Sequence, residues 1–363
     1  MLTRLQIERL RGIADLVLED AGRVNLVVGR NDTGKTTFLE AIRLLLSGDP
    51  RHLRRPNRSL IDRYNRPPET VFKLAFYSGS ADVGLKVSGQ VDDLSLVATA
   101  RIQELEDEQD ISLDLQESEE NDSESLLERG EEVVVKVQVN DGPTATITVP
   151  LVSTLPQPPS RRSFSDGTLP KIPPATWLGT NRSEVWSNAR RYSALVREEN
   201  TGALIQVLQL IEPSLADLIV LSERSEEPAV RSYAVLEAKL TDQSPLPLES
   251  MGDGFASIIS IVTATAAAGH SICLIDEIEN GIHYSVLSSL WSAVHQTSVN
   301  YDSQVWATTH SLDCVAAAHE AFLHAPEALR VHRFDRTEGG HIKVHTFDHS
   351  MLGRALERGL DVR

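Results

Sequence analysis

Eight consecutive residues, Gly29-Arg30-Asn31-Asp32-Thr33-Gly34-Lys35-Thr36, constrain this chain more than any other feature. They fit the pattern GxxxxGK[ST], with the compact apolar run RVNLVV (23–28) before them. After them, Leu39, Ile42, Leu45 and Leu46 recur at helical spacing. A strand, a glycine-containing loop and a helix in that order make a phosphate-binding loop, or P-loop. Its glycines let backbone N–H groups and the helix N-terminus surround an anionic phosphate. Lys35 then supplies a point charge to the terminal phosphates, and the Thr36 hydroxyl reaches Mg²⁺. Nucleotide binding is expected, with Gly29, Asn31, Gly34, Lys35, Thr36 and Thr37 as the cofactor-binding set.

Two later segments carry chemistry that such a loop requires. Ser271-Ile-Cys-Leu-Ile275-Asp276-Glu277 is an apolar strand ending in two carboxylates, the Walker B pattern. Placed at the carboxyl edge of a parallel sheet, Asp276 holds Mg²⁺ and Glu277 orients or deprotonates an attacking water. An acidic helix N-terminus is the alternative reading of the same pair. Gln304 to Thr308 reads as another strand, and it ends at Thr309-His310-Ser311. A histidine there can hydrogen-bond a γ-phosphate or the attacking water, so Glu277 and His310 are the catalytic candidates. His341, His345 and His349 are four apart, but no carboxylate or Cys completes a metal site with them in the sequence pattern.

At 363 residues the chain holds one large or two to three small domains, and 41% apolar with 24% charged residues is ordinary globular usage. The longest weakly polar stretch, 256–269, is too short to cross a bilayer, and the charged first twelve residues leave no room for a secretory h-region. A cytoplasmic protein without membrane contact is expected. Cys273 and Cys314 have neither disulfide-framework nor zinc-knuckle spacing and read as buried thiols. The net charge of −17 is misleading, because 104–132 alone holds fourteen acidic residues against Arg129. That block reads as a solvated loop, whereas Arg51 to Pro68 carries six arginines with Tyr64 among them. The basic stretch reads as a solvated loop too, with DNA or RNA backbone contact as the sharper alternative.

Short strands are expected at 2–7 and 17–18, and 70–77, 83–87, 94–102 and 133–149 suggest an antiparallel subdomain with the acidic loop inserted in it. Eight of the seventeen prolines fall between Pro143 and Pro174, which marks a connection. Residues 184–211 carry a helical pattern. From Met251 the α/β alternation returns, with a helix to Gly269, one from Ser285 to Gln296, one from Leu312 to His324, and a hairpin of 331–334 with 342–347.

Five motifs in order resemble one family. LQIERLRGIADL is similar to its opening strand and "FRGF" element, NLVVGRNDTGKTTFLEAI to its Walker A, and SMGDGF to its degenerate signature. ICLIDEIENGIH resembles its Walker B with D-loop, and WATTHS its switch histidine. The family is the ABC-type ATPases of the SMC, RecF and OLD (overcoming lysogenisation defect) group, also called AAA-family ATPases of phage-defence loci. The resemblance covers the two ends of the chain and not its middle. It implies ATP and Mg²⁺ as cofactors, Arg11 near the nucleotide, and Ser250, Gly252 and Gly254 meeting the γ-phosphate bound to a second protomer. It also implies Asn280 to His283 along a dimer seam and His310 as the switch. No Q-loop glutamine, long coiled coil or Toprim nuclease segment is recognisable.

The resulting expectation is an α/β P-loop NTPase with an ABC-type head, an antiparallel β subdomain and an inserted helical lobe. Residues 1–156 and 246–363 form the two halves of the head, and 157–245 form the linker and lobe. The expected function is an ATP-hydrolysing switch, a homodimer or higher homo-oligomer controlling a separate nuclease or effector protein in antiviral defence. The alternative is a RecF-like, ATP-gated DNA clamp with slow or no turnover.

Overall fold

Three short runs in which every residue is buried set the centre of the fold: β3 (Val24–Val28), β13 (Ile272–Ile275) and β14 (Gln304–Thr308). Runs of this kind suit a parallel sheet covered on both faces. Successive side chains feed two different cores. Val24, Leu26, Val28, Cys273, Ile275, Val305 and Ala307 point into one, and Val27, Ile272, Leu274 and Trp306 into the other. β14 lies between β3 and β13 and is parallel to both, so all three strands release their carboxyl ends at one edge. The computed structural model describes residues 1–49, 72–79, 82–104, 131–142, 144–151, 161–165, 172, 175–180, 185–223 and 233–363.

The parallel segment is extended by β9 (Thr176–Leu178) beside β13 and by β15 (Leu329–Arg336) beside β3. From β15 the chain turns back as β16 (His341–Phe347), which runs parallel to β2 (Ile13–Leu18). β2 pairs with β1 (Leu2–Leu10), and antiparallel pairing continues through β4 (Leu85–Val91), β5 (Leu94–Glu104), β6 (Glu131–Val139), β7 (Thr144–Pro150) and β8 (Arg161–Ser165). Among the described residues these thirteen strands form one mixed sheet. β5 shows the alternation of a strand with one covered face: Leu96, Ala98, Ala100 and Ile102 are buried and their neighbours are not.

Helix α1 (Lys35–Ser47) follows the P-loop and packs between the parallel strands and the antiparallel arm. Phe38 holds it there, with ring centroids 5.2 Å from both Trp306 and Phe334. The opposite core gathers α2 (Val185–Arg197), α3 (Gly202–Gln209), α4 (Asp253–Ala267), α5 (Leu287–Asn300), α6 (Leu312–Ala321) and α7 (His349–Glu357). Both cysteines are buried thiols. Among the described residues, no helix is long and apolar enough to cross a membrane.

The fold class is the expected one, a mixed α/β P-loop architecture, but several elements differ. The strand expected at 70–77 is absent from the described residues 72–79, which form a helical turn at Phe72, a single bridge from Phe76 to Leu10 and a tight turn at Tyr77–Gly79. Phe72, Ala75 and Phe76 are buried in the core that also holds β1 and α1, while Leu74 is exposed, so burial rather than strand pairing accounts for the hydrophobic pattern. The segment expected as linker and helical lobe (157–245) contains α2 and α3 but also β10 (Leu215–Glu223) and β11 (Tyr233–Leu240), which form a separate antiparallel sheet with β12 (Leu246–Pro247) just beyond it. LADLIVL and YAVLEAKL are strands whose partners are each other. α7 was not expected at all; its four-residue spacing of Leu352 and Leu356 lies in a run of only nine residues. The basic stretch Arg51–Pro68 and most of the acidic block 104–132 lie outside the described residues.

Candidate functional site

The loop from Gly29 to Gly34 needs two backbone conformations that glycine allows. Gly29 has φ +149° and Gly34 φ +88°, and a Cβ at Gly29 would sit 2.7 Å from the carbonyl of Phe334. Gly34 leads directly into α1, so the first N–H groups of that helix face the loop. Lys35 is buried and folds back, its Nζ donating to the carbonyls of Gly29 at 2.7 Å and Arg30 at 2.9 Å. Burial lowers its pKa from 10.5 to about 8, against the opposing fields of Asp276, Glu277 and Glu279. Thr37 is buried in the first turn of α1, and Asn31 is exposed at the loop tip.

Strand order then supplies the acidic side. Asp276 leaves the end of β13, and Thr36 Oγ1 lies 3.2 and 3.1 Å from its two carboxylate oxygens. Both supply hard oxygen donors, the kind that Mg²⁺ takes from one or two protein side chains beside phosphate. The donor set therefore fits that ion. Glu277 follows with φ +49°, a left-handed conformation that costs a non-glycine residue roughly 1 kcal/mol or more. Thr308, fully buried at the end of β14, holds this strained turn. Its hydroxyl donates to Asp276 Oδ1 at 2.6 Å and accepts from the Glu277 N–H at 2.8 Å, and its carbonyl accepts from Ile278 N–H at 3.0 Å.

His310 sits two residues beyond Thr308, and its Nε2 is 3.8 Å from Glu277 Oε1. Both side chains are part-exposed at the sheet edge. Lys35, Thr36, Asp276, Glu277 and His310 are thus brought together from three neighbouring strands. Arg11 belongs to the turn between β1 and β2, where its Nε donates to Glu40 of α1 at 2.7 Å, with both side chains nearly buried. Ser250 and Gly252 are exposed just before α4. Gly254 lies in the first turn of α4, its Cβ position 3.5 Å from the carbonyl of Gly281. The loop 280–283 thus backs onto the start of α4, and Asn280 also donates to the carbonyl of Thr180 at 3.2 Å.

Several residues at the site escaped the sequence reading. Thr308 and Glu279 are two; Glu279 Oε1 accepts from the His310 N–H at 2.9 Å. Arg336 of β15 is a third, donating to the carbonyls of Asp32 at 2.8 Å and Gly12 at 2.7 Å and so tying the loop tip to the β1–β2 turn. A threonine ending one strand and a carboxylate four residues past another give no local signal, because their partners are about thirty residues or more away.

The family described as "AAA domain, putative AbiEii toxin, Type IV TA system" matches residues 24–315. An uncharacterized protein of Methanocaldococcus jannaschii, MJECL10, is 40% identical over 47 residues, which is 13% of this chain and 22% of that protein. The DNA replication and repair protein RecF of Cellvibrio japonicus is 45% identical over 47 residues, 13% of each chain. The matched stretch spans less than a quarter of either relative's length. Among solved structures, an Smc head bound to the C-winged helix domain of ScpA aligns over 98% of this chain and 99% of its own, at 14% identity and a TM-score of 0.48. The SMC head domain from Thermotoga maritima aligns over 96% and 99%, at 10% identity and a TM-score of 0.42. Because the family match runs through most of the chain, from the strand before the P-loop to the helix after His310, the chain belongs to this AAA-domain family of P-loop ATPases.

Proposed function

We propose that this chain binds ATP with Mg²⁺, hydrolyses it, and works as a nucleotide-driven dimeric switch over a separate nuclease or effector in antiviral defence. One observation carries the hydrolytic part: Lys35, Thr36, Asp276, Glu277 and His310 converge at the carboxyl ends of β3, β13 and β14. Phosphate oxygens replace the carbonyls of Gly29 and Arg30 as partners of Lys35. Thr36 and Asp276 would hold Mg²⁺, which when bound would neutralise charge on the phosphates. Glu277 takes a proton from the water whose oxygen attacks the γ-phosphorus, while the bond to the bridging oxygen breaks and its electrons leave with ADP. His310 donates to the γ-phosphate or orients that water.

Residues 1–156 and 246–363 form the head in this reading, and the exposed Ser250 and Gly252, with the part-buried Gly254, complete the site of a second copy. The wider role is supported by the family description, which names the AbiEii toxin of a type IV toxin–antitoxin system. The match to RecF favours a second reading, an ATP-gated DNA clamp with slow or no turnover. ATP turnover measured with and without duplex DNA separates the two. Under the first reading, turnover is DNA-independent and is lost in Lys35→Ala and Glu277→Gln. Wild-type turnover in Lys35→Ala overturns both readings.

A further inference from the structure

The ends of β13 and β14 grip each other through reciprocal bonds, and one of them has no role in the chemistry above. Thr308 holds the backbone of Glu277 and Ile278. In the opposite direction, Glu279 Oε1 accepts the His310 N–H at 2.9 Å, and the His310 carbonyl accepts from Arg363 Nη1 at 3.2 Å. The His310 peptide is therefore held on both sides, in the position that leaves its ring 3.8 Å from Glu277. We propose that Glu279 is a positioning residue: by accepting the His310 N–H it aims the imidazole at Glu277 and ties that aim to the loop 280–283. The inference rests on the hydrolytic reading of Glu277 and His310.

Two features argue that this carboxylate does more than fill a loop. Its Oε2 is buried without a hydrogen-bond partner among the described residues, a costly arrangement that a neutral acceptor such as a hydroxyl would avoid. Its charge also contributes, behind those of Asp276 and Glu277, to the field that favours the ammonium form of Lys35. Glu279 is followed directly by Asn280 and Gly281, whose carbonyl abuts Gly254 at the start of α4. A displacement of that loop is passed to His310 through a single side chain.

The test is a double-mutant cycle with a structural readout beside it. Glu279→Ala should lower kcat about tenfold or more while the Kd for ATP changes less than about twofold. In a His310→Ala background the same substitution should cost nothing further in kcat, because its effect passes through the histidine. Glu279→Gln, which keeps the accepting oxygen, should recover most of the loss. Backbone amide exchange at His310, measured without nucleotide, should quicken about tenfold or more in Glu279→Ala and stay slow in Glu279→Gln. Losses that multiply in the double mutant, or unchanged His310 exchange in Glu279→Ala, overturn the proposal. Absence of Lys35-dependent turnover in the wild type instead overturns the hydrolytic reading, and the exchange measurement still decides whether Glu279 holds the peptide.

Discussion

Lys35 is a cation that the fold makes easy to discharge, and its behaviour is testable at the level of one proton. Burial brings its pKa to about 8, whereas a bound polyphosphate favours the charged form and raises it again. ATP affinity is therefore expected to be independent of this group below pH 8 and to weaken about tenfold per pH unit above it. Titration calorimetry in buffers of different ionisation enthalpy should detect proton uptake on binding near pH 8.5. For folding, the cost of burying the ammonium is present below pH 8 and is relieved as pH rises from about 8 to 10.5, so this group alone makes stability rise across that window. Removing the amine in Lys35→Ala should weaken ATP binding by on the order of a hundredfold, read by equilibrium binding of labelled nucleotide. Thr308→Val should leave a carboxylate oxygen and the strained Glu277 amide without their shared hydroxyl, costing about 1–3 kcal/mol in urea unfolding. Thr308→Ser should restore most of it.

Two elements carry their own predictions. Helix α1 ends at Gly48, whose φ of +60° lets its N–H donate to the Leu44 carbonyl at 2.8 Å. A Cβ there would lie 2.6 Å from Val137 Cγ2 of β6, so Gly48→Ala combines backbone strain with overpacking. It should lower stability by about 1–3 kcal/mol, measured by chemical denaturation. The β15 strand holds His332 at zero exposure, stacked on Trp306 at 5.4 Å and placed between Asn25 Oδ1 at 3.2 Å and Thr346 Oγ1 at 3.0 Å. Burial pushes its pKa down to about 3 from 6.5. The unfolded chain therefore binds a proton that the folded chain refuses. Stability is full above pH 6.5 and falls toward pH 3, by up to about 1.4 kcal/mol per pH unit. His332→Gln keeps polar partners but cannot titrate, and its acid unfolding profile should be flatter over that range.

At the scale of the whole molecule, the proposed composite site predicts complementation. Ser250→Arg should bind ATP and lose turnover, and mixing it with Lys35→Ala should recover part of the rate, because one site of the mixed dimer keeps an intact P-loop and an intact signature loop. Full activity of Ser250→Arg alone removes Ser250 from the site. Sequence by itself determined the parts whose physics is local. The P-loop is eight consecutive residues with a helix starting inside it, and β13 and β14 are apolar runs whose extents, 272–275 and 304–308, were readable from burial demand alone. Helical spacing of Leu39, Ile42, Leu45 and Leu46 likewise marked α1. Only tertiary structure decided that β14 lies between β3 and β13, since strand order is a matter of pairing across hundreds of residues and leaves no periodicity behind. That order is what sets Thr308 against Asp276 and Glu279 against His310, and it is why neither Thr308 nor Glu279 stood out. The same holds for β10 and β11, whose segment the helical spacing of α2 and α3 had coloured, and for Arg11, which tertiary packing sets against Glu40. Local sequence specifies which groups are available, and long-range pairing decides which of them meet.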